Sequence, residues 1–238
     1  MEPSAYSEQI HQLVEACRAI GAKGLTSSSG GNLSLRLPDG NVLITPAGMP
    51  KEQVTAETVC ILDPDGNPLF LPEGSRPTSE TPLHIMALKA RPDVKAVIHA
   101  HPVMLCAFAV AQTRLLEQPF YPEEAMEIGP IVKVPYEEPS CDRLAKRLSE
   151  YIHISNGYLL ENHGAVVLSQ QSVADAVERM YLMEATAKSV YYAARLGTLR
   201  ALSYDEVRTL EALKAVRGLT DRALPISEAF FFDDRKDG

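Results

Sequence analysis

Two histidines separated by a single residue, His99 and His101, follow an apolar run that begins at Val97. In a β-strand, residues i and i+2 project from the same face, about 6.6 Å apart at ~3.3 Å per residue. Two imidazoles placed in this way can bind one metal ion, although an isolated His-x-His also occurs in strands that bind none. The pattern therefore predicts a strand here and directs attention to further ligands elsewhere in the chain.

Two other residues are candidates to complete such a metal site. A catalytic zinc site usually has three protein ligands drawn from His, Asp or Glu and one open position. Glu80, in Pro77-Thr78-Ser79-Glu80, and His163, in Asn162-His163-Gly164, each lie where a regular element is predicted to begin or end. Glu80 could instead be a carboxylate that stabilises the first turn of a helix. His84, one turn later, is expected to pack or to support the site rather than to bind metal.

Composition limits the classes of function. The 238 residues are 45% hydrophobic, which suits one α/β domain over residues 1–238, with 198–238 a C-terminal helix and tail. The 23 Lys and Arg against 31 Asp and Glu, without a basic cluster, argue against nucleic acid as a partner. No segment has the length and apolarity of a membrane span or a secretory signal, and the four cysteines are scattered without a CxxC pair. We therefore expect a soluble cytoplasmic protein with reduced thiols.

Periodicity and turn residues predict alternating helices and strands. The predicted helices cover residues 5–20, 78–90, 103–111, 141–152, 172–197 and 204–216. The predicted strands cover residues 33–37, 42–45, 59–62, 97–101, 131–134, 158–160 and 165–168. Residues 115–129 have no clear period and are predicted to be a loop or partly helical. The tail with Phe230, Phe231 and Phe232 is expected either to pack against a partner or to cover the site.

A polar glycine-rich loop, residues 24–32, precedes the first predicted strand. Small residues let backbone N–H groups approach a ligand, and the Asn32 amide adds donors, so this loop could hold a phosphate. It does not match the GxxxxGK[ST] or GxGxxG patterns. A plain flexible turn remains the alternative.

Five short motifs occur in an order that resembles the class II aldolase/adducin family, most closely its L-fuculose-1-phosphate aldolase branch. They are Gly30-Gly31-Asn32-Leu33-Ser34, Ile44-Thr45-Pro46-Ala47-Gly48, Pro77-Thr78-Ser79-Glu80, His99-Ala100-His101 and Asn162-His163-Gly164. The resemblance covers roughly residues 10–196. It implies a three-layer α/β/α fold with a mainly antiparallel sheet and a divalent metal, usually Zn²⁺, with Mn²⁺ or Co²⁺ as alternatives. It also implies a sugar-phosphate substrate and a homotetramer whose active sites lie between neighbouring subunits.

The resemblance assigns a role to each matching residue. His99, His101 and His163 match the metal ligands. Glu80 matches the acid that is both a resting ligand and the catalytic base. Tyr121 matches a catalytic tyrosine that reaches the adjacent subunit's site, with a buried structural tyrosine as the alternative. The phosphate-binding positions match Gly31, Asn32, Gly48, Thr78 and Ser79. Ala47 departs from the family, since aldolases commonly have a hydroxyl residue there.

The function implied is reversible aldol cleavage of a ketose 1-phosphate to dihydroxyacetone phosphate and an aldehyde. Decarboxylation of a sugar-acid phosphate is the main rival, favoured by Ala47 and by the acidic segment with Glu123, Glu124 and Glu127. Epimerases of the family match less well, because their metal-site acid is typically Asp where this chain has Glu80. An adducin-like binding module would lack the metal ligands. A metal-dependent hydrolase also remains open on chemical grounds.

Overall fold

The computed structural model describes residues 3–219 and 222–231, and eight strands among them form one sheet. The strands are β1 (Asn32–Arg36), β2 (Val42–Ile44), β3 (Cys60–Leu62), β4 (Pro68–Phe70), β5 (Ala96–Ala100), β6 (Ile131–Val134), β7 (Gly157–Leu160) and β8 (Gly164–Ser169). Their order across the sheet is β4-β3-β2-β1-β5-β8-β7-β6. Only the β6–β7 pair is parallel, so the sheet is mainly antiparallel, as expected.

Helices cover both faces of this sheet. They are α1 (Ser7–Ala22), α2 (Thr81–Ala90), α3 (Val103–Val110), α4 (Pro122–Glu127), α5 (Asp142–Ser149), α6 (Val173–Leu196), α7 (Tyr204–Val216) and α8 (Ile226–Phe231). Helices α1, α3 and α6 share one hydrophobic core with the sheet, and α2 and α5 share the other. The predicted three-layer α/β/α fold is therefore confirmed.

The alternation of side chains along β1 and β5 places polar residues under α2. Ile98 and Ala100 lie in the core beneath α1 and α6, whereas Val97 lies in the core beneath α2. His99 follows Val97 by two residues and therefore projects from the same face. Leu33 of β1 belongs to the α1 core, so its neighbours in the strand point the other way, toward α2.

Some elements differ from the prediction. Strand β4 was not expected, because it has only three residues, begins with proline and is largely exposed at the sheet edge. The segment 115–129 contains a short 3₁₀ helix and the six-residue α4. Phe230 of α8 is buried in a cluster with Ala125 and Val207 of its own chain, whereas Phe231 is 43% exposed, so the expectation for the tail is corrected at Phe230 alone. Phe232 lies outside the described residues.

The helices and the cysteines bear on two further predictions, on membrane insertion and on free thiols. No helix in the described part of the chain is long and apolar enough to cross a bilayer. All four cysteines are free; Cys17 and Cys60 are buried, and Cys106 and Cys141 are half-buried. The free thiols agree with the absence of a CxxC pair.

Candidate metal centre

Strands β5 and β8 bring the three histidines together. His99 lies in β5, His101 directly after it, and His163 in the tight turn that joins β7 to β8. Because β5 and β8 are antiparallel neighbours that pair Ala100 with Ala165, the end of one lies beside the start of the other. The candidate ligand atoms of the three histidines all lie within 4.8 Å of one another. The predicted set of imidazoles therefore converges at one point of the sheet.

Glu80 joins this cluster from the N-terminus of α2. Its Oε2 lies 3.2 Å from His99 Nε2, and its Oε1 lies 3.3 Å from His163 Nε2. Glu80 is the N-cap residue of α2, but among the described residues its side chain makes no capping hydrogen bond and is instead directed at the histidines. The Oε2 atom accepts a hydrogen bond of 2.8 Å from Asn32 Nδ2, whereas the buried Oε1 has no hydrogen-bond partner in the described part of the chain.

Burial favours the neutral form of the three imidazoles. It is the largest cause of a pKa well below the ordinary value for His99, and the neighbouring His163 and His101 lower that pKa further. The pKa values of His101 and His163 are also lowered, chiefly by burial. Neutral imidazole is the form that binds metal ions, so these shifts favour ligation at neutral pH.

A backbone contact orients the His99 ring. Its Nδ1 lies 3.0 Å from the Ala165 carbonyl oxygen, to which a neutral ring donates its N–H. The lone pair of Nε2 is then directed to the cluster, where Nε2 of His101 lies 2.9 Å away. Metal-binding histidines are commonly held in this way by their second nitrogen.

The donor set fits a divalent cation. Three neutral imidazoles and one carboxylate are the ligands that zinc and similar ions take in catalytic sites. The Glu80 Oε1 and His163 Nδ1 atoms are buried without hydrogen-bond partners among residues 3–219 and 222–231, a condition that is costly unless another group contacts them. The residues present therefore suit the metal that the sequence predicts.

Two glycines leave room for the His101 ring. A Cβ on Gly30 would lie 2.6 Å from His101 Nδ1, and a Cβ on Gly164 would lie 2.5 Å from His101 Cδ2 and 2.7 Å from the Ala100 carbonyl oxygen. These distances are shorter than real Cβ atoms make. Both glycines are therefore required by the close approach of the ring.

A cavity of about 250 Å³ opens above the cluster. All five predicted phosphate-binding residues line it, namely Gly31, Asn32, Gly48, Thr78 and Ser79. Glu80, His101 and His163 also line it, while His99 lies fully buried behind them. Tyr121 is 39% exposed and is not among the lining residues, so it does not belong to the cavity of its own chain.

The sequence reading missed two residues near this cavity. Ser140, in the loop before α5, lines it with a left-handed φ of 61°, and its hydroxyl donates to Ser79 Oγ at 2.9 Å. Lys51 is buried beneath the rim, where its ammonium donates to the carbonyl oxygens of Ser29 at 3.4 Å and Met49 at 2.5 Å. No local pattern marks either residue, because both reach the cavity through long-range folding.

Comparisons with known proteins agree with this geometry. Residues 11–191 match the model of the class II aldolase and adducin N-terminal domain. A 3-oxo-tetronate 4-phosphate decarboxylase from Haemophilus influenzae is 32% identical over 85% of this chain and 96% of that enzyme. An L-fuculose phosphate aldolase from Methanococcus maripaludis is 31% identical over 76% of this chain and 96% of that enzyme. The crystal structure of YgbL from Klebsiella pneumoniae has a TM-score of 0.79 and 30% identity, covering 86% of this chain and 98% of that one.

Proposed function

The chain belongs to the class II aldolase and adducin family, and from this premise we propose that it is a metal-dependent carbon–carbon lyase that decarboxylates a phosphorylated 3-oxo sugar acid. The relative from Haemophilus influenzae, matched over 96% of its length, is a 3-oxo-tetronate 4-phosphate decarboxylase and suggests the substrate class. Aldol cleavage, which the sequence motifs favoured, is the second candidate.

The observation that carries the proposal is the single carboxylate of the site. Among the described residues that line the cavity, Glu80 is the only acidic side chain, and the histidines are assigned to the metal. Decarboxylation of a 3-oxo acid needs one proton delivered to carbon. Aldol cleavage needs a second group, which takes the proton of the hydroxyl on the departing carbon. The cavity of one chain therefore holds the acid–base group that decarboxylation requires.

The proposed reaction assigns a task to each group. His99, His101, His163 and the resting Glu80 would hold a divalent ion, most suitably Zn²⁺. When bound, the ion would supply Lewis-acid stabilisation of the negative charge that develops on the adjacent ketone and hydroxyl oxygens of the substrate. The bond between C1 and C2 breaks, its electron pair moves toward the ketone, and carbon dioxide leaves. Glu80, after taking up a proton from solvent, delivers it to C2, which gives dihydroxyacetone phosphate.

The phosphate would bind at the rim formed by Gly31, Gly48, Thr78 and Ser79. These residues offer backbone N–H groups and hydroxyls around an open cavity. No lysine or arginine is among the described residues that line it. The buried Lys51 beneath the rim supplies a nearby positive charge, which supports an anion in a chain whose net charge is −8.

The second candidate needs a second subunit. In aldol cleavage, Tyr121 of a neighbouring copy would exchange the proton of the aldehyde oxygen, in keeping with a homotetramer whose sites lie between subunits. Large apolar side chains exposed on α3 and α6, including Val103 at 76% and Leu196 at 89%, support such an assembly. Light scattering of the purified protein measures its mass, and a monomer would contradict this assignment.

Substrate tests distinguish the two reactions. Both yield dihydroxyacetone phosphate, so a coupled reductase alone does not separate them. The protein is therefore offered a 3-oxo-tetronate 4-phosphate labelled with ¹³C at C1, and separately a panel of ketose 1-phosphates. We expect labelled carbon dioxide above the spontaneous rate, abolished by a chelator and restored by Zn²⁺. Cleavage of a ketose 1-phosphate with no release of carbon dioxide would replace the proposal with aldol cleavage.

Tyr121→Phe provides a second discriminating test. Decarboxylation should persist in this variant, because no hydroxyl proton is removed. Aldol cleavage should be lost in this variant. If the tyrosine acts across an interface, mixing Tyr121→Phe subunits with Glu80→Gln subunits should restore part of the aldol activity. Loss of decarboxylation in Tyr121→Phe would contradict the single-carboxylate mechanism.

A further inference from the structure

Behind Glu80, four side chains form a continuous chain of hydrogen bonds. Ser34 Oγ lies 2.7 Å from His84 Nδ1, and His84 Nε2 lies 2.5 Å from Asn32 Oδ1. Asn32 Nδ2 lies 2.8 Å from Glu80 Oε2. The four residues are at most 7% exposed. Buried polar chains of this kind are retained only when each member has a partner.

The secondary structure explains why these residues meet. Asn32 and Ser34 are two residues apart on β1 and project from the face that α2 covers. Glu80 and His84 are four residues apart at the start of α2 and lie on one side of the helix. The pair on the strand therefore faces the pair on the helix, and Asn32 is also the direct strand partner of His99.

The direction of each hydrogen bond follows from the Glu80 carboxylate. An ionised carboxylate only accepts, so the Asn32 amide must present Nδ2 to it and Oδ1 to His84. His84 must then carry its proton on Nε2, which leaves Nδ1 to accept from the Ser34 hydroxyl. Burial lowers the pKa of His84 to about 3, so the ring is neutral and has the one donor and one acceptor that this arrangement requires.

We propose that His84 is a positioning residue that, through Asn32, holds Glu80 Oε2 in place and leaves Oε1 as the oxygen that binds metal and transfers the proton. Among the described residues Oε1 has no hydrogen-bond partner and faces His163, whereas Oε2, 3.2 Å from His99 Nε2, is already held by Asn32. The hydrogen bond to Oε2 restrains the orientation of the carboxylate, so Oε1 faces the same side of the site when it transfers the proton. The inference rests on the proposed role of Glu80. It also engages the Asn32 amide with Glu80 and His84 rather than with the phosphate.

Two substitutions of His84 separate positioning from packing. A glutamine amide nitrogen can occupy the place of Nε2 and keep the bond to Asn32. An asparagine side chain is one methylene shorter, so its amide can replace Nδ1 beside Ser34 but cannot reach Asn32. We expect His84→Gln to resemble the parent, and His84→Asn to lose about 10- to 100-fold in kcat with little change in KM. His153→Asn, at an exposed histidine, is the control.

A spectroscopic measurement tests the geometry without turnover. The metal-free proteins are titrated with Co²⁺, and the visible absorption spectrum reports the ligand arrangement. We expect His84→Asn to change the spectrum and His84→Gln to keep it. Identical spectra and identical kcat in the two variants would overturn the proposal, because a packing role treats them alike. Absence of Co²⁺ binding to the parent protein would instead refute the metal site and the proposed function.

Asn32→Ala keeps the proposal testable if the His84 variants do not fold. It breaks the chain next to Glu80, and thermal unfolding of the metal-free protein checks its fold. We expect the same spectral change as in His84→Asn, and no further loss of kcat when the two substitutions are combined. An unaltered spectrum in folded Asn32→Ala would refute the positioning of Glu80 by this chain.

Discussion

Replacing Glu80 by glutamine tests the proton-transfer role most directly. The substitution keeps the size of the side chain and removes its charge. The glutamine oxygen must face Asn32 Nδ2, which donates to Oε2 at 2.8 Å in the parent. The glutamine NH₂ group then takes the position of Oε1, 3.3 Å from His163 Nε2, where it can neither bind a cation nor transfer a proton.

The structure sets the expected magnitude. Three imidazoles remain within 4.8 Å of one another, so the variant should still bind Zn²⁺. A positioned general acid or base contributes about 10²- to 10⁴-fold in rate. At 1.36 kcal/mol for each factor of ten, this corresponds to about 3–5 kcal/mol of the activation free energy. We therefore expect kcat to fall by that factor while the metal content stays near one ion per chain.

The assay combines metal analysis with steady-state kinetics. The parent, Glu80→Gln and the control Glu123→Gln, at an exposed acid on α4, are loaded with Zn²⁺ and dialysed. Zinc content is measured by atomic emission, and release of carbon dioxide gives kcat. Turnover of Glu80→Gln at the rate of the parent would refute the proton-transfer role. Loss of both zinc and activity would show that the carboxylate is needed as a ligand.

Further predictions test the space around the His101 ring, the binding of the substrate phosphate and the dependence of stability on pH. Gly164→Ala should weaken Zn²⁺ binding at least tenfold in a chelator competition, because its Cβ would overlap the His101 ring; unchanged affinity would contradict the close approach. Lys51→Met should raise KM for the phosphorylated substrate about tenfold with kcat nearly unchanged, whereas Lys89→Met, at an exposed lysine, should not. The pKa of His84 is about 3 in the folded protein, against an ordinary value of 6.5. The free energy of unfolding contributed by the neutral ring should therefore be fully present above pH 6.5. Below it, the unfolded chain binds the extra proton, and the metal-free protein should lose about 1.4 kcal/mol per pH unit through His84, as urea unfolding at pH 7.5 and 5.5 would measure. Equal midpoints would contradict this.

Much of the fold could be predicted from local patterns. Alternation around Val97 placed His99 on a strand, and the periodicity of 172–197 predicted α6 nearly to its ends. Strand β4 was missed because three exposed residues have too little hydrophobic pattern to stand out. Helix α5 ends at Ser149, before the predicted residue 152, where the chain turns toward β7.

The site was predictable where short motifs carry the chemistry, and not where folding brings distant residues together. The imidazole cluster and Glu80 were predicted from short motifs at or beside the ends of strands and of a helix, together with the resemblance to the family. The contact between Ser34 and His84 joins residues 50 positions apart and has no local signal. Lys51 resembles any surface lysine in sequence, and it is the fold that buries it.

The separation of the ligands along the chain has a consequence for synthesis. A nascent chain synthesised past His101 but not past His163 carries only two of the three imidazoles. Strand β8, which pairs with β5 beside the site, is also still missing. A competent centre can therefore arise only after the β7–β8 hairpin has closed on β5. Nascent or truncated chains would remain inert, and metal capture would report that the middle of the sheet has been completed.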